Sequence, residues 1–517
     1  MNTNSSTPEL PPSNIGPVSI APQSEKDSRK SSTVFPTEIQ NMIASYLVPN
    51  VHDWQYESSE KYKALQSLAL TSKAWKATAY QYLHYRVKVE PERLYYASSV
   101  AHSAEKVLSR LVSRPETASM VKELSVYYYY EPGSKNEKYD TEHLLKVVDG
   151  LEVTKDLKSD MKRCVQKRSR PLPEPFPLHT ILPAICKRLR VYEINLCKGV
   201  DQETLKAMMS DAARNGSTVF QHLREMDITG ERYSMDLDLL TTILRIPALQ
   251  TLSTDIFDVG LNFHFISDDQ PTDSVHSSLR KINLSKGIID SNMLAFLLKA
   301  CPLMQEISVV SEAMTKAYRL QKFEYESLGN ILRQYGTGLT SLKLEYRKPK
   351  ACEIHLAENS ADYSYSQTLG SLATLTKLRT LSVQVRSLFG RDWKDIQLVQ
   401  CLPTSLERLE LADFDENVLR GRTRVMDIDV MDTGLLPNVG PEAFGAKESW
   451  DLRRHIDSEI ASVFEDERFE RLSKIIIVCT ENSRKLWPDA MRYVQRIGQP
   501  RIVYSKGGYK GRRKVTR

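Results

Sequence analysis

One spacing of apolar residues recurs through the middle of the chain. Apolar residues at positions 1, 4 and 6 of a short stretch are typical of a strand that buries one face. Weaker or outlying copies, LQTLST, VKELSV and LSKIII, begin at Leu249, Val121 and Leu472. The strong copies are VYEINL, LREMDI, LRKINL, MQEISV, LTSLKL, LRTLSV and LERLEL, which begin at Val191, Leu223, Leu279, Met304, Leu339, Leu378 and Leu406.

The intervals between these predicted strands favour helices. The stretches DQETLKAMMSDAARNG, MDLDLLTTILRIP and DSNMLAFLLKACP each begin near Asp and end at Gly or Pro, which are helix start and stop signals. From Val191 to Leu406 the copies begin 25 to 39 residues apart. That spacing overlaps or exceeds the length of a leucine-rich repeat, about 20 to 29 residues. One strand and one helix per unit predict a solenoid, and an α/β domain with irregular crossovers is the alternative.

Two short apolar helices are predicted near the start of the chain, one from Phe35 to Leu47 and one from Leu65 to Leu83. The first helix carries Ile39 and Ile43 on one face and needs a partner surface, of which the second helix supplies only part. A segment of about fifty residues buries a marginal core by itself. The helices therefore predict either a docking surface for another protein or the core of a helical cap on the solenoid.

Composition and charge exclude several classes of protein. The chain has 517 residues, a mean hydropathy of −0.40 and no apolar run long enough to span a bilayer, so no membrane partner is expected. The net charge of +6 equals the six basic residues between Lys506 and Arg517, which leaves a neutral body, and nucleic acid is not an expected partner. The seven cysteines and ten histidines lack zinc-site spacing, and familiar catalytic motifs are missing. We expect no metal, no cofactor, no enzymatic activity and a cytoplasmic or nuclear location.

The opening helices resemble an F-box. The resemblance consists of Phe35-Pro36, then Glu38-Ile39 with two further apolar residues, and then a second part of the form L-x-x-L-x-L-T-S-K-x-W that ends at Trp75. The sequence departs from the family in having Phe35 in place of a leucine and a longer interruption between the helices. The resemblance implies docking on the Skp-type adaptor of a cullin-RING ubiquitin ligase. The implied adaptor-binding residues are Phe35, Pro36, Ile39, Ile43, Leu47, Leu65, Leu68, Leu70 and Trp75.

The downstream units resemble the repeats of F-box proteins with leucine-rich repeats, and the connecting segment resembles filamentous-fungal members. The predicted fold class is therefore α/β: a helical F-box followed by an irregular leucine-rich-repeat solenoid, a curved parallel sheet with outer helices. The predicted divisions are a disordered N-terminus at 1–32, the F-box at 33–90, a connecting segment with a first repeat-like strand and a basic, proline-rich loop at 91–180, repeats at 181–412, an insertion at 413–471, a C-terminal repeat or cap at 472–504 and a basic disordered tail at 505–517.

A target surface is predicted on the open face of the sheet. In each triplet, the residue between the last two apolar positions points away from the core. This row is mostly small and polar with Lys343 as its one cation, so phosphate recognition is not predicted. The resulting hypothesis is a ligase substrate receptor with an unknown protein target, and the alternatives are a non-ligase scaffold or an enzyme with a dispersed site. The predicted target-binding residues are Asn195, Asp227, Asn283, Ser308, Lys343, Ser382 and Glu410.

Overall fold

The computed structural model divides the chain into two compact units, Met1–Leu83 and His84–Arg517, which are described separately below. The predicted disordered ends, 1–32 and most of 505–517, lie outside the described residues. The structure describes residues 35–48, 58–89, 104–127, 141–167, 178–195, 202–214, 216–230, 237–254, 277–285, 289–312, 325–347, 368–389, 393–414, 446–479 and 502–506.

The N-terminal unit contains three described helices: α1 (Thr37–Tyr46), α2 (Ser58–Thr71) and α3 (Lys73–Leu83). The sequence predicts two, because Leu65 to Leu83 has a continuous helical pattern. The break falls at Ser72, whose Oγ accepts a hydrogen bond from the backbone N–H of Trp75 at 3.2 Å. A serine in this position caps a new helix by satisfying an N–H group that has no partner within the helix. The second predicted helix is therefore two helices.

The fully buried core of this unit is small. Ala44, Leu65 and Ala79 are each 0% exposed, one from each helix. The side-chain amide of Gln40 lies in the same interior, where its Nε2 donates to the Phe35 carbonyl at 2.8 Å and its Oε1 accepts from Thr78 Oγ1 at 3.2 Å. Partly buried apolar residues that pack against the core are Leu47, Leu68, Ala69, Tyr82 and Leu83.

The second unit contains a parallel sheet in which every described strand pairs with the strands before and after it in the chain. This sequential order confirms the predicted solenoid, since the alternative of irregular crossovers would place non-consecutive strands side by side. The twelve strands are β1 (Arg86–Val89), β2 (Glu123–Tyr127), β3 (Val191–Asn195), β4 (Glu225–Thr229), β5 (Thr251–Thr254), β6 (Lys281–Ser285), β7 (Glu306–Glu312), β8 (Ser341–Arg347), β9 (Thr380–Gln384), β10 (Arg408–Phe414), β11 (Lys474–Cys479) and β12 (Ile502–Lys506).

Helices lie between most pairs of consecutive strands. These helices and the sheet share one hydrophobic core, whose buried residues run from Val89 to Ile475. Helix α11 shows why the predicted helix starts are sound: the side chain of Asp290 accepts a hydrogen bond from the N–H of Met293 at 2.7 Å. The helices are α4 (Ala104–Ser113), α5 (Pro115–Met120), α6 (Thr141–Gly150), α7 (Lys155–Lys167), α8 (Leu178–Ile185), α9 (Gln202–Ala212), α10 (Leu237–Leu244), α11 (Ser291–Ala300), α12 (Tyr325–Tyr335), α13 (Val385–Phe389), α14 (Leu398–Cys401) and α15 (Ala446–Glu465).

A backbone ladder fixes the register of the turns that lead into the strands. The N–H groups of Arg224 and Glu225 both donate to the carbonyl oxygen of Arg190, at 2.8 and 3.0 Å. The same two bonds recur at every step from β1 to β11, so consecutive turns stack directly on each other. The accepting carbonyls are those of Tyr85, Lys122, Arg190, Arg224, Gln250, Arg280, Gln305, Thr340, Arg379 and Glu407.

The sheet extends beyond the predicted repeat limits of 181 and 412. Strand β1 lies inside the predicted F-box range, and the two compact units divide at Leu83, before the predicted limit of 90. Within the predicted insertion, α15 packs against α14 and buries Ile456, Ile460 and Val463 in the shared core. Part of that segment is thus the helix of a repeat. Among the described helices, none is both long enough and apolar enough to span a bilayer.

Candidate protein-docking site

Helix α1 carries a stripe of apolar residues that is distinct from the face of the helix that is buried. The buried residues of the helix are Gln40 and Ala44, four residues apart. The four apolar residues of the stripe follow helical spacing from Ile39, at i, i+3, i+4 and i+7. Ile39 and Ile43 are half-buried, whereas Met42 is 52% exposed and Tyr46 is 80% exposed. The interior of the unit therefore covers this stripe only in part, and least at Met42 and Tyr46.

Two other predicted residues lie on the surface of the unit. Leu70, near the end of α2, is 88% exposed. Phe35 is 53% exposed and lies against the half-buried Trp75, with the two ring centroids 6.2 Å apart and the rings tilted by 59°. Pro36 is exposed at the start of α1, where its carbonyl accepts a bond from the N–H of Gln40 at 3.0 Å. These residues are available to a partner.

Three further predicted adaptor-binding residues lie in or against the core of the unit and not on its surface. Leu65 is fully buried and forms the core of the unit, and Leu47 and Leu68 pack against that core. Met42 and Tyr46 were not among the predicted residues, although their spacing from Ile39 and Ile43 was readable. The role of the predicted set in adaptor binding stays a prediction.

Exposed apolar side chains are concentrated in the three-helix unit. Of the six large apolar residues exposed in the described ranges, five belong to it and one, Leu303, belongs to the repeat unit. Met42 and Tyr46 are neighbours on α1, and exposed apolar side chains that lie together mark interaction sites. The five residues, here called the exposed apolar set, are Phe35, Met42, Tyr46, Tyr62 and Leu70.

The residues predicted for target binding lie in one register row at most strands, but Asn195 of β3 does not, and Ser382 is buried. Their role in target binding stays a prediction. Asn195 pairs in register with Thr229 of β4, so it lies one row further along the strands than Asp227. The buried triplet of this unit is Leu189, Tyr192 and Ile194, each at most 1% exposed. Glu193 therefore occupies the row position. The row read from the strand registers is Ser125, Glu193, Asp227, Ser253, Asn283, Ser308, Lys343, Ser382, Glu410 and Ile476.

Several polar groups of this row already have partners on the sheet. The Oε2 atom of Glu193 accepts hydrogen bonds from Ser125 Oγ at 2.6 Å and from the Tyr127 hydroxyl at 3.0 Å. Lys343 Nζ lies 2.9 Å from Glu345 Oε2. The one cation of the row is therefore neutralised locally. Further pairs are Asn283 with Ser253 at 3.0 Å and Arg408 with Glu410 at 2.9 Å.

The first strands form an acidic part of the open face. Glu123 of β2 makes an ion pair with Arg86 of β1. Burial raises the pKa of the Glu123 carboxyl, Arg86 opposes that shift, and the neighbouring carboxylates Glu193 and Glu225 add to it. Asp227 extends the acidic group on β4. The open face thus carries the carboxylates Glu193 and Asp227 at β3 and β4, beside locally paired charges at β2, β8 and β10.

Comparison with known proteins supports the assignment of leucine-rich repeats. A family model described as "FBD-associated F-box protein At5g56370, LRR repeats" matches residues 215–334, from the turn before β4 into α12. The repeats are leucine-rich repeats. The match spans less than half of the chain, and it supports an F-box-type protein at the level of the repeats. The filamentous-fungal type is not shown by it. No curated protein matches the chain.

One solved structure with a similar chain is the crystal structure of the Rad7 and Elc1 complex in yeast. The similarity covers 93% of this chain and 93% of that chain, at 11% sequence identity and a TM-score of 0.32. A likeness of this size supports no conclusion about fold or function.

Proposed function

We propose that this protein is a non-catalytic substrate receptor of a Skp/cullin/F-box ubiquitin ligase. The three-helix unit docks on a Skp-type adaptor, and the leucine-rich repeats hold the protein that other subunits modify. The observation that carries the proposal is the exposed apolar set, which this unit leaves uncovered by its own core. The F-box resemblance of the same helices and the match of the repeats to an F-box-associated family support it.

The energetics of the unit favour a partner. Burial of apolar surface contributes about 25 cal/mol per Å2, and association costs offset part of that gain. Large side chains such as Tyr46 and Leu70 are the strongest contributors, because most of their surface is exposed in the free chain. A partner that binds only the folded helices also stabilises them by mass action. Docking and folding of this unit are therefore coupled.

The test is capture of a purified Skp-type adaptor by the full chain. The variant Tyr46→Asp/Leu70→Asp places two charges in the proposed interface without touching the buried core, since both side chains are at least 80% exposed. We expect at least a tenfold loss of affinity. Leu65 is unsuitable for this purpose because it is 0% exposed, so its substitution would disrupt folding.

The matched control is Leu303→Asp, which adds a charge at a 52% exposed leucine of the repeat unit. We expect it to bind the adaptor like the unmodified chain. Unchanged capture by Tyr46→Asp/Leu70→Asp, with helix content preserved in circular dichroism, would contradict the proposed docking. Capture of the adaptor without ubiquitin transfer in a reconstituted ligase would instead favour the scaffold.

A further inference from the structure

The turns that lead into the strands form one edge of the repeat unit, because all the described strands are parallel and begin at the same side of the sheet. The described turn residues before β3 to β9 contain no Asp or Glu. Basic residues recur in the first four of these turns. The exposed ones without an acidic partner, here called the basic edge, are Arg188, Arg190, Arg224, Arg245 and Arg280.

Several cations of the repeat unit have acidic partners, whereas the guanidinium groups of the basic edge have none among the described residues. Within the described residues, none of the five has an ion pair or a side-chain hydrogen bond. Elsewhere, Arg86 pairs with Glu123, and Lys146 pairs with Glu142 at 2.9 Å. Unpaired like charges side by side repel each other and stabilise nothing within the chain. An external anion would offset that repulsion.

The ladder of backbone bonds sets the spacing of these charges. Arg190, Arg224 and Arg280 occupy the same position in the turns before β3, β4 and β6. Adjacent strands lie about 4.8 Å apart, so the three residues span roughly 14 Å along the edge. An extended peptide covers that distance with about four or five residues. The charges are spread along a line, which suits a series of single carboxylates.

At the β2 end of the edge, Lys122 lies in the preceding turn. Burial lowers the pKa of Lys122, and the positive charges of Arg188 and Arg190 lower it further. The backbone N–H of Arg190 also donates to the carbonyl oxygen of Lys122 at 2.7 Å, so basic residues of consecutive turns adjoin at this end of the edge.

One observation favours a peptide over a nucleic acid. Single-stranded nucleic acids are held by aromatic side chains on which bases stack, in addition to a basic groove. The described turns of the edge expose no Phe, Tyr or Trp, since Phe220 is 2% exposed.

We propose that the basic edge binds an extended segment rich in Asp and Glu in the protein that the repeats hold. The inference deepens the proposed function and rests on it for one point, that the bound segment belongs to a ligase target. The sequence prediction placed target binding on the open sheet face. The basic edge adds a second surface, with Arg190 towards one end and Arg280 at the other.

The experiment measures fluorescence anisotropy of a labelled peptide of alternating Glu and Ser, about twelve residues long, titrated with the full chain. We expect binding that weakens as salt is added. The variant Arg190→Gln/Arg224→Gln/Arg280→Gln should weaken binding about tenfold, since exposed ion pairs each contribute modestly. The matched control, Lys146→Gln/Lys155→Gln/Arg163→Gln, removes the same charge from α6 and α7 and should change the affinity less than twofold.

The inference would be overturned if the Glu-Ser peptide did not bind, or if a Gln-Ser peptide bound equally well. Equal loss of peptide affinity in the two triple variants would also overturn it. So would tighter binding of single-stranded RNA or of a phosphoserine peptide of the same length. All six exchanged residues are exposed, and thermal unfolding checks that each variant folds. Adaptor capture by the same samples separates the two proposals. A chain that captures the adaptor and ignores the peptide loses only this inference, whereas one that binds the peptide and ignores the adaptor loses the proposed function.

Discussion

The two compact units of this chain bury apolar surface in opposite ways. The N-terminal unit encloses three fully buried apolar residues, Ala44, Leu65 and Ala79, and exposes larger ones such as Tyr46 and Leu70. The repeat unit encloses a continuous core and exposes one large apolar residue, Leu303, within its described part. The difference teaches that a segment can form helices without forming a self-sufficient core. The first unit leaves large apolar side chains exposed in its described part, and the second is completed by its own repetition.

The comparison is tested most strongly by removing one buried leucine from each unit. Leu65→Ala and Leu342→Ala both truncate a side chain that is 0% exposed, and each should cost about 2 to 5 kcal/mol. For Leu65→Ala we expect α1 to α3 to lose protection from hydrogen exchange while the sheet keeps it. For Leu342→Ala we expect a lower unfolding midpoint that spreads over neighbouring strands, because repeats are stabilised by their neighbours.

Mass-spectrometric hydrogen exchange of the full chain measures both effects. Loss of sheet protection in Leu65→Ala would show that the units do not unfold separately. Preserved protection of α1 to α3 in the same variant would show that the small core is not what holds these helices.

A smaller effect tests how tightly the repeat unit is packed. A Cβ atom at Gly329 of α12 would lie 1.9 Å from the carbonyl oxygen of Leu369, which also accepts a bond from Arg333 Nη1 at 2.7 Å. We expect Gly329→Ala to move α12 and to cost about 1 to 3 kcal/mol in chemical denaturation. Gly150→Ala is the control, since nothing lies within 4 Å of its Cβ position. Equal stability of the two variants would mean that the close approach is not needed.

The smallest expected effect depends on pH and concerns His84, the first residue of the repeat unit. Burial lowers the pKa of His84 from 6.5 to about 4, and the charges of Arg110 and Arg114 add to the shift. Because the folded pKa lies below the unfolded value, this contribution to stability is complete above pH 6.5 and is lost as the pH falls toward 4. We expect the loss to be about 1 to 2 kcal/mol, reduced by solvent screening.

Denaturation of the unmodified chain and of His84→Gln between pH 7 and pH 4 checks this expectation, since the other titrating groups are common to both. The unmodified chain should lose more stability on acidification than the variant. Parallel pH profiles would show that the histidine does not contribute.

The sequence predicts the solenoid well because its strands obey a strict apolar pattern. Leu223, Met226 and Ile228 are all at most 1% exposed, as the triplet spacing requires. At β3 the prediction was wrong, because the predicted triplet begins at Val191. The buried triplet begins at Leu189 and includes the ring of Tyr192. Two overlapping patterns differ by two residues there, and only strand pairing distinguishes them.

The candidate sites were harder to predict than the fold. The helical spacing of Ile39 and Ile43 predicts an apolar stripe on α1, but it does not show whether that stripe or the adjacent face of the helix packs against the core. In the structure Gln40 and Ala44 face the core, because small and hydrogen-bonded side chains allow the helices to approach closely. The basic edge was also missed, since its arginines lie in turns that come together only when the repeats stack.

The stacked carbonyl ladder has a consequence for how such a chain can change in length. Residues 123 and 191 are register partners 68 positions apart, whereas residues 281 and 306 are partners 25 positions apart, yet both pairs belong to the same regular stack. The register of the strands depends on the stacking of the turns and not on the length of the polypeptide between them. New sequence can therefore be spliced into a crossover of this protein without shifting the strands on either side, which gives each crossover the freedom to acquire its own features.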